Sequence, residues 1–358
     1  MMKILFLLLP ILYIVGNAYV YVRMLHSMAF LPLWGKIVVS VVYWVVAFAL
    51  VVSLVGRDKL PSVMQQVLYV AGSIWLVAIL YMVMALLVAD VVRIFLPTFK
   101  YGFWCCSGLT ACVLAYGYYN YCNPVVNKIA ITLDKPLSTP VRVVAVSDVH
   151  LGYATGKERL KKYVELINSQ NPDIVLIAGD LIDNNVTPLR ENRMNEELSQ
   201  IVAPMGVYMV PGNHEYISGI DEAVNFLKGT PIVLLRDTIV ELPCGLQIVG
   251  RDDRHNKRRM PLSDIVAKVD STKPMIMLDH QPYQVAKKDS LGVDVQVSGH
   301  THRGQVFPMN KLVDSMYEQS HGYRKWSHSH VYVSSGLSLW GPPFRIGTSS
   351  DIAVFELK

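Results

Sequence analysis

Two histidines separated by one threonine, His300 and His302, follow an apolar, strand-like run, Val293–Val297, that ends in Ser298-Gly299. In extended backbone, residues i and i+2 point to the same side, so both imidazoles reach one small volume. Taken alone, the pair is equally well a polar loop. Four other runs in the chain end in the same way. Val141–Val146 exits into Asp148 and His150, and Ile174–Ile177 into Gly179-Asp180, with Asp183 three residues on. Val207–Val210 exits into Gly212-Asn213-His214-Glu215, and Met275–Leu278 into Asp279-His280. Ligands in α/β folds gather at the carboxyl ends of strands. Glycines at such exits let the backbone turn sharply and approach a site. Five strand ends bearing Asp, His or Asn are poorly explained as satisfied polar loops.

The donors are oxygen and imidazole nitrogen, with no sulfur, which suits manganese, iron, zinc or cobalt. They are too many for one ion. Two divalent ions about 3.5–4 Å apart would clamp the attacking and leaving oxygens of a displaced phosphoryl group. The expected cofactor is therefore a pair of divalent ions, manganese foremost, and Asp180 is the candidate for the bridging carboxylate. Cys105, Cys106, Cys112 and Cys122 lie in or at the end of an apolar segment, and Cys244 stands alone in the polar part. That pattern gives neither a disulfide framework nor a thiolate metal set.

The order D-x-H, G-D-x-x-D, G-N-H-E, a lone H and G-H-x-H, from Asp148 to His302, resembles the calcineurin-like metallophosphoesterase family. The resemblance implies a two-sheet β-sandwich flanked by helices. It also implies that Asp148, His150 and His302 hold one ion, Asn213, His280 and His300 the other, and that Asp180 bridges them. His214 would be the catalytic histidine and Asp183 its carboxylate partner, fixing its tautomer. A helix N-cap is the alternative role for Asp183. The family's protein Ser/Thr phosphatases carry arginine directly after this aspartate; Asn184 stands here, which speaks against a protein-phosphate substrate. "IVGRDDRHNKR" and "SSGLSLWGPPFRIGTSSDIAVFEL" are similar to the bacterial, membrane-associated branch that includes YkuE and YaeI. That branch overlaps with a hydrolase that cleaves UDP-diacylglucosamine at its pyrophosphate.

The elements that must position these residues are short. After residue 130, Val/Ile runs alternate with amphipathic stretches. Strands are expected at the five runs above and at Leu246–Val249, Val331–Val333 and Ile352–Phe355. Helices are expected at Lys157–Ser169, Asn192–Val202, Asp221–Leu227 and Leu262–Val269. The alternation argues for an α/β domain over residues 141–358, joined by a polar linker, 126–140, to what precedes it.

What precedes it is apolar. The hydrophobic fraction of 52% is concentrated in the first third of the chain. Ile4–Val22, Ile37–Val55, Val67–Ala89 and Phe103–Cys122 contain no Asp, Glu, Lys or Arg. Each is long enough to cross about 30 Å of hydrocarbon, so residues 1–125 are expected to form an all-α region of four transmembrane helices. Gly16 and Ala18 also allow the first segment to be read as a cleaved signal peptide. With the N-terminus inside, Lys3, Arg57, Lys59, Lys128 and Lys135 face Arg23, Lys36, Arg93 and Lys100 across the bilayer. That balance barely tips the domain after residue 125 into the cytoplasm.

These readings together predict a multi-pass protein of the bacterial inner membrane. Its activity would be hydrolysis of a phosphate ester or pyrophosphate, on a phosphorylated lipid or lipid-linked nucleotide sugar drawn from the bilayer. General phosphodiesterase or phosphatase activity on soluble substrates is the alternative, and a non-catalytic receptor for a phospho-ligand is a second. Arg251 and Arg254, in a basic loop that continues to Arg259, and Arg345, in Leu339–Arg345, are candidate substrate contacts. The plainer readings are a solvated face and a packed loop. A net charge of +5 is too modest to imply a nucleic-acid partner, and no obligate protein partner is inferred.

Overall fold

The computed structural model describes residues 2–56, 59–97 and 101–358, with backbone alone over residues 2–7. Arg57, Lys100 and the side chain of Lys3, which entered the charge balance, lie outside these residues.

The apolar segments form α1 (Met2–Ser27), α2 (Leu33–Val55), α3 (Ser62–Phe95) and α4 (Gly102–Cys122). Prolines precede α2 and α3, where a missing N–H matters least. Among the described residues, Leu8–Ser27, Leu33–Val55 and Ser62–Phe95 are long and apolar enough to cross a membrane. The fourth expected span, α4, is a continuous 21-residue helix that includes four tyrosines, an asparagine, a serine and a threonine. Asn17 is buried in this region and accepts a hydrogen bond from Trp75 Nε1 at 2.9 Å, while its carbonyl accepts from Tyr43 Oη at 2.8 Å. Arg23 pairs with Asp90 at 2.7 Å. Apolar surroundings make such polar groups costly unless they are partnered.

Two compact units divide the chain: Met1–Tyr118 with Gly341–Pro343, and Tyr119–Trp340 with Phe344–Lys358. The second contains twelve strands in two six-stranded sheets. The strands are β1 (Val125–Ile131), β2 (Val141–Val146), β3 (Ile174–Ile177), β4 (Val207–Met209), β5 (Ile232–Leu234), β6 (Thr238–Glu241), β7 (Gln247–Gly250), β8 (Met275–Leu278), β9 (Val295–Ser298), β10 (Gly322–Lys325), β11 (His330–Val333) and β12 (Asp351–Leu357). One sheet runs β1-β12-β2-β3-β4-β5, the other β10-β11-β9-β8-β7-β6.

Alternation along the strands makes two cores out of one sheet. Val141, Val143 and Ala145 of β2 point into a core shared with Ile276 and Leu278 of β8 and Val295 and Val297 of β9. Val144 and Val146 point to the other face, against Leu160, Tyr163, Val164 and Ile167 of the helix Lys157–Asn168. The second sheet is covered on its outer face by Leu262 and Ile265. Both faces of the central strands are thus buried, which is why they are largely apolar, with Arg142 in β2 and Gln296 in β9 as interruptions. The fold is a two-sheet sandwich with helices outside.

The expected linker is partly structured. Its first residues belong to β1, which pairs in parallel with β12 over the full register Val125↔Asp351 to Ile131↔Leu357. Of the helix expected at Asn192–Val202 only Met194–Leu198 is helical; Arg193, in the left-handed region, separates it from a preceding short helix, Thr187–Glu191.

Candidate metal centre

The carboxyl ends of β2, β3, β8 and β9, and the N-terminus of the helix Asn213–Ile217 after β4, converge. Five of the residues they bring in have left-handed backbones: Asp148 (φ 54°), His150 (47°), Asp180 (52°), His300 (70°) and His302 (46°). Each such non-glycine residue costs on the order of 1 kcal/mol or more and persists only where the surroundings enforce it.

Three glycines make room. A Cβ at Gly179 would come within 2.6 Å of His280 Nδ1. At Gly212 it would strike Asp180, and at Gly299 it would strike Ser147 and Asp148. The loops are tied by backbone bonds as well: His300 N–H donates to the Asp148 carboxylate at 3.0 Å, and His214 N–H to Asp180 Oδ1 at 2.9 Å.

Three donor groups result, one of them His150, Asp183 and His214. Asp148, His150 and His302 offer ligand atoms within 4.8 Å of one another, and so do Asp180, His280 and His300. Asp180 Oδ2 lies 3.1 Å from His280 Nε2 and 3.8 Å from His150 Nε2, so it faces both groups. Asn213 Oδ1 is 3.2 Å from His280 Nε2. His150 Nε2 and His302 Nε2 point at each other across 3.1 Å. Ligands held at about 2.1 Å from one ion at roughly right angles are about 3 Å apart. All donors are nitrogen or oxygen. The residues fit two divalent ions, with Asp180 placed to be shared.

The charges alternate. Burial pushes the Asp148 carboxyl up, but His302, His150 and His280 more than offset this and hold it below the ordinary range. Asp180 is likewise depressed against its burial, chiefly by the charges of His280 and His214. Burial pulls His150 down, yet hydrogen bonds to Asp148 and Asp183 carry it up to about 10. His280 is raised against its burial by Asp180. Burial dominates at His300, lowered to about 4, and at His302, lowered to about 3.

His214 lies in the remaining group, which shares His150 with the first. Its ring meets that of His150 edge-on at 4.6 Å. Its Nδ1 lies 3.2 Å from the Asp183 carbonyl oxygen and 3.4 Å from Asp183 Oδ1. Asp183 Oδ1 also lies 3.5 Å from His150 Nδ1, so one carboxylate serves two rings. Burial raises the Asp183 carboxyl, and its bonds to His150 and His214 bring it down to about 2. No helix starts at Asp183, so the N-cap alternative falls away.

Two residues do structural work that the sequence did not disclose. Glu215, fully buried, accepts from the N–H groups of Asp180 (3.0 Å), Ile182 (2.9 Å) and Gly212 (2.7 Å), binding two strand exits together. Its place beside Asn213-His214 was the available signal. Arg345 corrects an expectation. It is fully buried, and donates to the carbonyls of His302 (2.8 Å), Gly336 (2.8 Å), Ser338 (3.0 Å) and Ser335. Its donors are committed to the loop that carries His302, so it is not a substrate contact. Leu339 and Phe344 beside it are buried too, leaving Trp340 half-exposed. Arg251 is also buried, against Asp279 at 3.4 Å, whereas Arg254 is exposed and lies over the ring of Tyr283 at 4.2 Å.

A two-sheet sandwich with paired oxygen-and-nitrogen donor groups at its strand exits defines a metal-dependent class. Comparison with known proteins agrees. Residues 141–304 match the family model described as calcineurin-like phosphoesterase. An uncharacterized metallophosphoesterase of Helicobacter pylori is 34% identical over 246 residues, 67% of this chain and 65% of that protein. A Danio rerio protein named transmembrane protein with metallophosphoesterase domain is 32% identical over 271 residues, 70% of this chain and 61% of that one. The Bacillus subtilis uncharacterized metallophosphoesterase YkuE is 26% identical over 264 residues, 68% of this chain and 90% of that one. The chain spans somewhat less than two thirds of the first two relatives' length. It carries a calcineurin-like metallophosphoesterase domain.

Proposed function

We propose that the protein is a phosphoric ester hydrolase with two divalent ions, manganese foremost, anchored in the bacterial cytoplasmic membrane with its catalytic domain inside. Its substrate is a phosphorylated lipid or lipid-linked nucleotide sugar, cut at a phosphate ester or pyrophosphate. One observation carries the reading: Asp180 faces the histidines of two donor groups, while an additional histidine, His214, stands beside them on Asp183, a carboxylate it shares with His150.

When bound, the two ions clamp the attacking and leaving oxygens of the phosphoryl group. Asp148, His150 and His302 would hold one, Asn213, His280 and His300 the other, with Asp180 between. Asp183 engages His214 at Nδ1 and orients the ring. Nε2 is then the nitrogen that donates a proton to the leaving oxygen. A receptor that only holds a phospho-ligand has no need of that donor. Helices long enough to span support the membrane reading, and confinement to the surface where a lipid substrate lies raises its effective concentration.

The test is hydrolysis of bis(4-nitrophenyl) phosphate by the full-length protein in detergent, with and without added Mn²⁺. Absence of metal-dependent turnover would remove the hydrolase reading. For the substrate, acylated and deacylated forms of one phosphorylated sugar are compared. Equal kcat/KM would mean that acyl chains are not read.

A further inference from the structure

Beside the metal centre lies a cavity of about 690 Å³ whose lining includes Arg254, Lys257, Arg259, Asp279, Tyr283 and Lys287. Its floor is unusual. Asp279 meets three cations: Arg259 at 2.6 Å, Lys288 at 2.8 Å and Arg251 at 3.4 Å. Three cations against Asp279, with Asp237 also acting on Arg251, leave positive charge in excess. Arg251 and Lys288 are 5% and 1% exposed, so water does little to screen that excess. Buried charge in excess is unfavourable unless a counter-ion completes it. Burial holds both the Arg251 guanidinium and the Lys288 ammonium below their ordinary values, although Asp279 opposes this. The rim adds exposed Arg254, Lys257 and Lys287, and the other acid in the lining is Glu318.

The cavity is also well placed. Asp279 and Gln281 both line it, and His280 between them belongs to the second donor group. Neighbouring Cα atoms are about 3.8 Å apart, so the cavity floor and that donor group issue from a single strand exit.

We propose that this cavity is a phosphate-binding subsite, taking a second phosphate group next to the one placed at the metal centre. The metal centre as the place of reaction rests on the function proposed above; the anion site itself does not. Arg254, held over Tyr283, and Arg259 offer planar forks suited to phosphate oxygens. A substrate with two linked phosphates would span both places, and so would a monophosphate bound next to an anionic lipid headgroup.

The test is calorimetric titration of chelator-treated, full-length protein in neutral detergent with inorganic pyrophosphate. One equivalent is expected to bind. Arg254→Glu and Lys257→Glu, both at exposed positions, are each expected to weaken binding about tenfold or more, equivalent to about 1.4 kcal/mol. Glu318→Gln should tighten it. Phosphatidic acid added to the micelles separates the sources: competition with pyrophosphate identifies a lipid headgroup, and indifference a phosphate of the soluble part of the substrate. No pyrophosphate binding, or binding that ignores both charge reversals, would overturn the site. The hydrolase reading would survive that result, because turnover of a one-phosphate substrate does not depend on the cavity.

Discussion

Gly212 and Gly156 form a matched pair. Both precede helices, with similar extended backbones: φ −102°, ψ −171° at Gly212 and φ −88°, ψ −177° at Gly156. Alanine fits either conformation without strain. Their surroundings differ. A Cβ at Gly156 meets nothing within 4 Å, whereas one at Gly212 comes to 2.7 Å from the Asp180 backbone nitrogen and closer still to its carboxylate. Ordinary contact begins near 3.4 Å, so the Asp180 backbone must retreat by about 0.7 Å and its carboxylate by more. It cannot do so freely, since its N–H is tied to Glu215 and its Oδ1 to His214 N–H. Overpacking of this kind costs about 1–3 kcal/mol of stability. Displacement of a reacting group by about 1 Å costs on the order of 100-fold in rate. Gly212→Ala should therefore fold, lose about two orders of magnitude in kcat/KM on bis(4-nitrophenyl) phosphate, and bind metal less tightly. Gly156→Ala should match the parent's turnover within a factor of about two, with a stability cost of up to about 1 kcal/mol because alanine is a poorer N-cap than glycine. A Gly212→Ala protein with full metal content and near-parental turnover would refute the argument that Asp180 is held by close backbone approach.

Other expectations follow from the same geometry. His214→Ala should keep its metals, because the backbone N–H that orients Asp180 remains, while kcat falls by roughly 10²–10⁴; elemental analysis beside a kcat measurement checks both halves. Metal binding at pH 8 should release protons. His150, raised to about 10, must give up its own, and the raised His280 adds to the release, whereas the lowered His300 and His302 are already neutral; calorimetry in two buffers of different ionisation enthalpy reads the number, and no release would contradict it. Asp279 is raised by burial but brought down to about 2 by Lys288, Arg259 and Arg251. A depressed carboxyl stabilises the fold above its unfolded value near 4, and that contribution, about 2 kcal/mol, is lost as pH falls from about 4 to about 2. Acid unfolding of Asp279→Asn should lack this component.

How much of this was legible in the sequence depended on which forces set each element. β2, β3 and β8 have the bounds expected of them, because both faces are buried and every residue but Arg142 is apolar. β1 was hidden because it lies at a sheet edge and alternates Asn127 and Lys128 with apolar residues. β10 was hidden because its residues are largely exposed. The candidate donors could be picked out because each follows a strand-like run, and Asp180, Asn213 and His300 come directly after a glycine. Glu215 could not, since its partners are backbone N–H groups, two of them more than thirty residues away. Arg345 was misread as a surface cation because nothing local marks an arginine whose partners are carbonyls of distant loops. The fourth apolar segment is helical as expected, but tyrosine and small polar residues make it the least apolar of the set.

The central claim is a pair of ions sharing Asp180. Chelator-treated full-length protein should be titrated with Mn²⁺ while bound metal and hydrolysis of bis(4-nitrophenyl) phosphate are followed together. The account predicts that bound metal levels off at two ions per chain, and that turnover appears mainly with the second. Full turnover at one bound ion, with no second ion taken up, would contradict it.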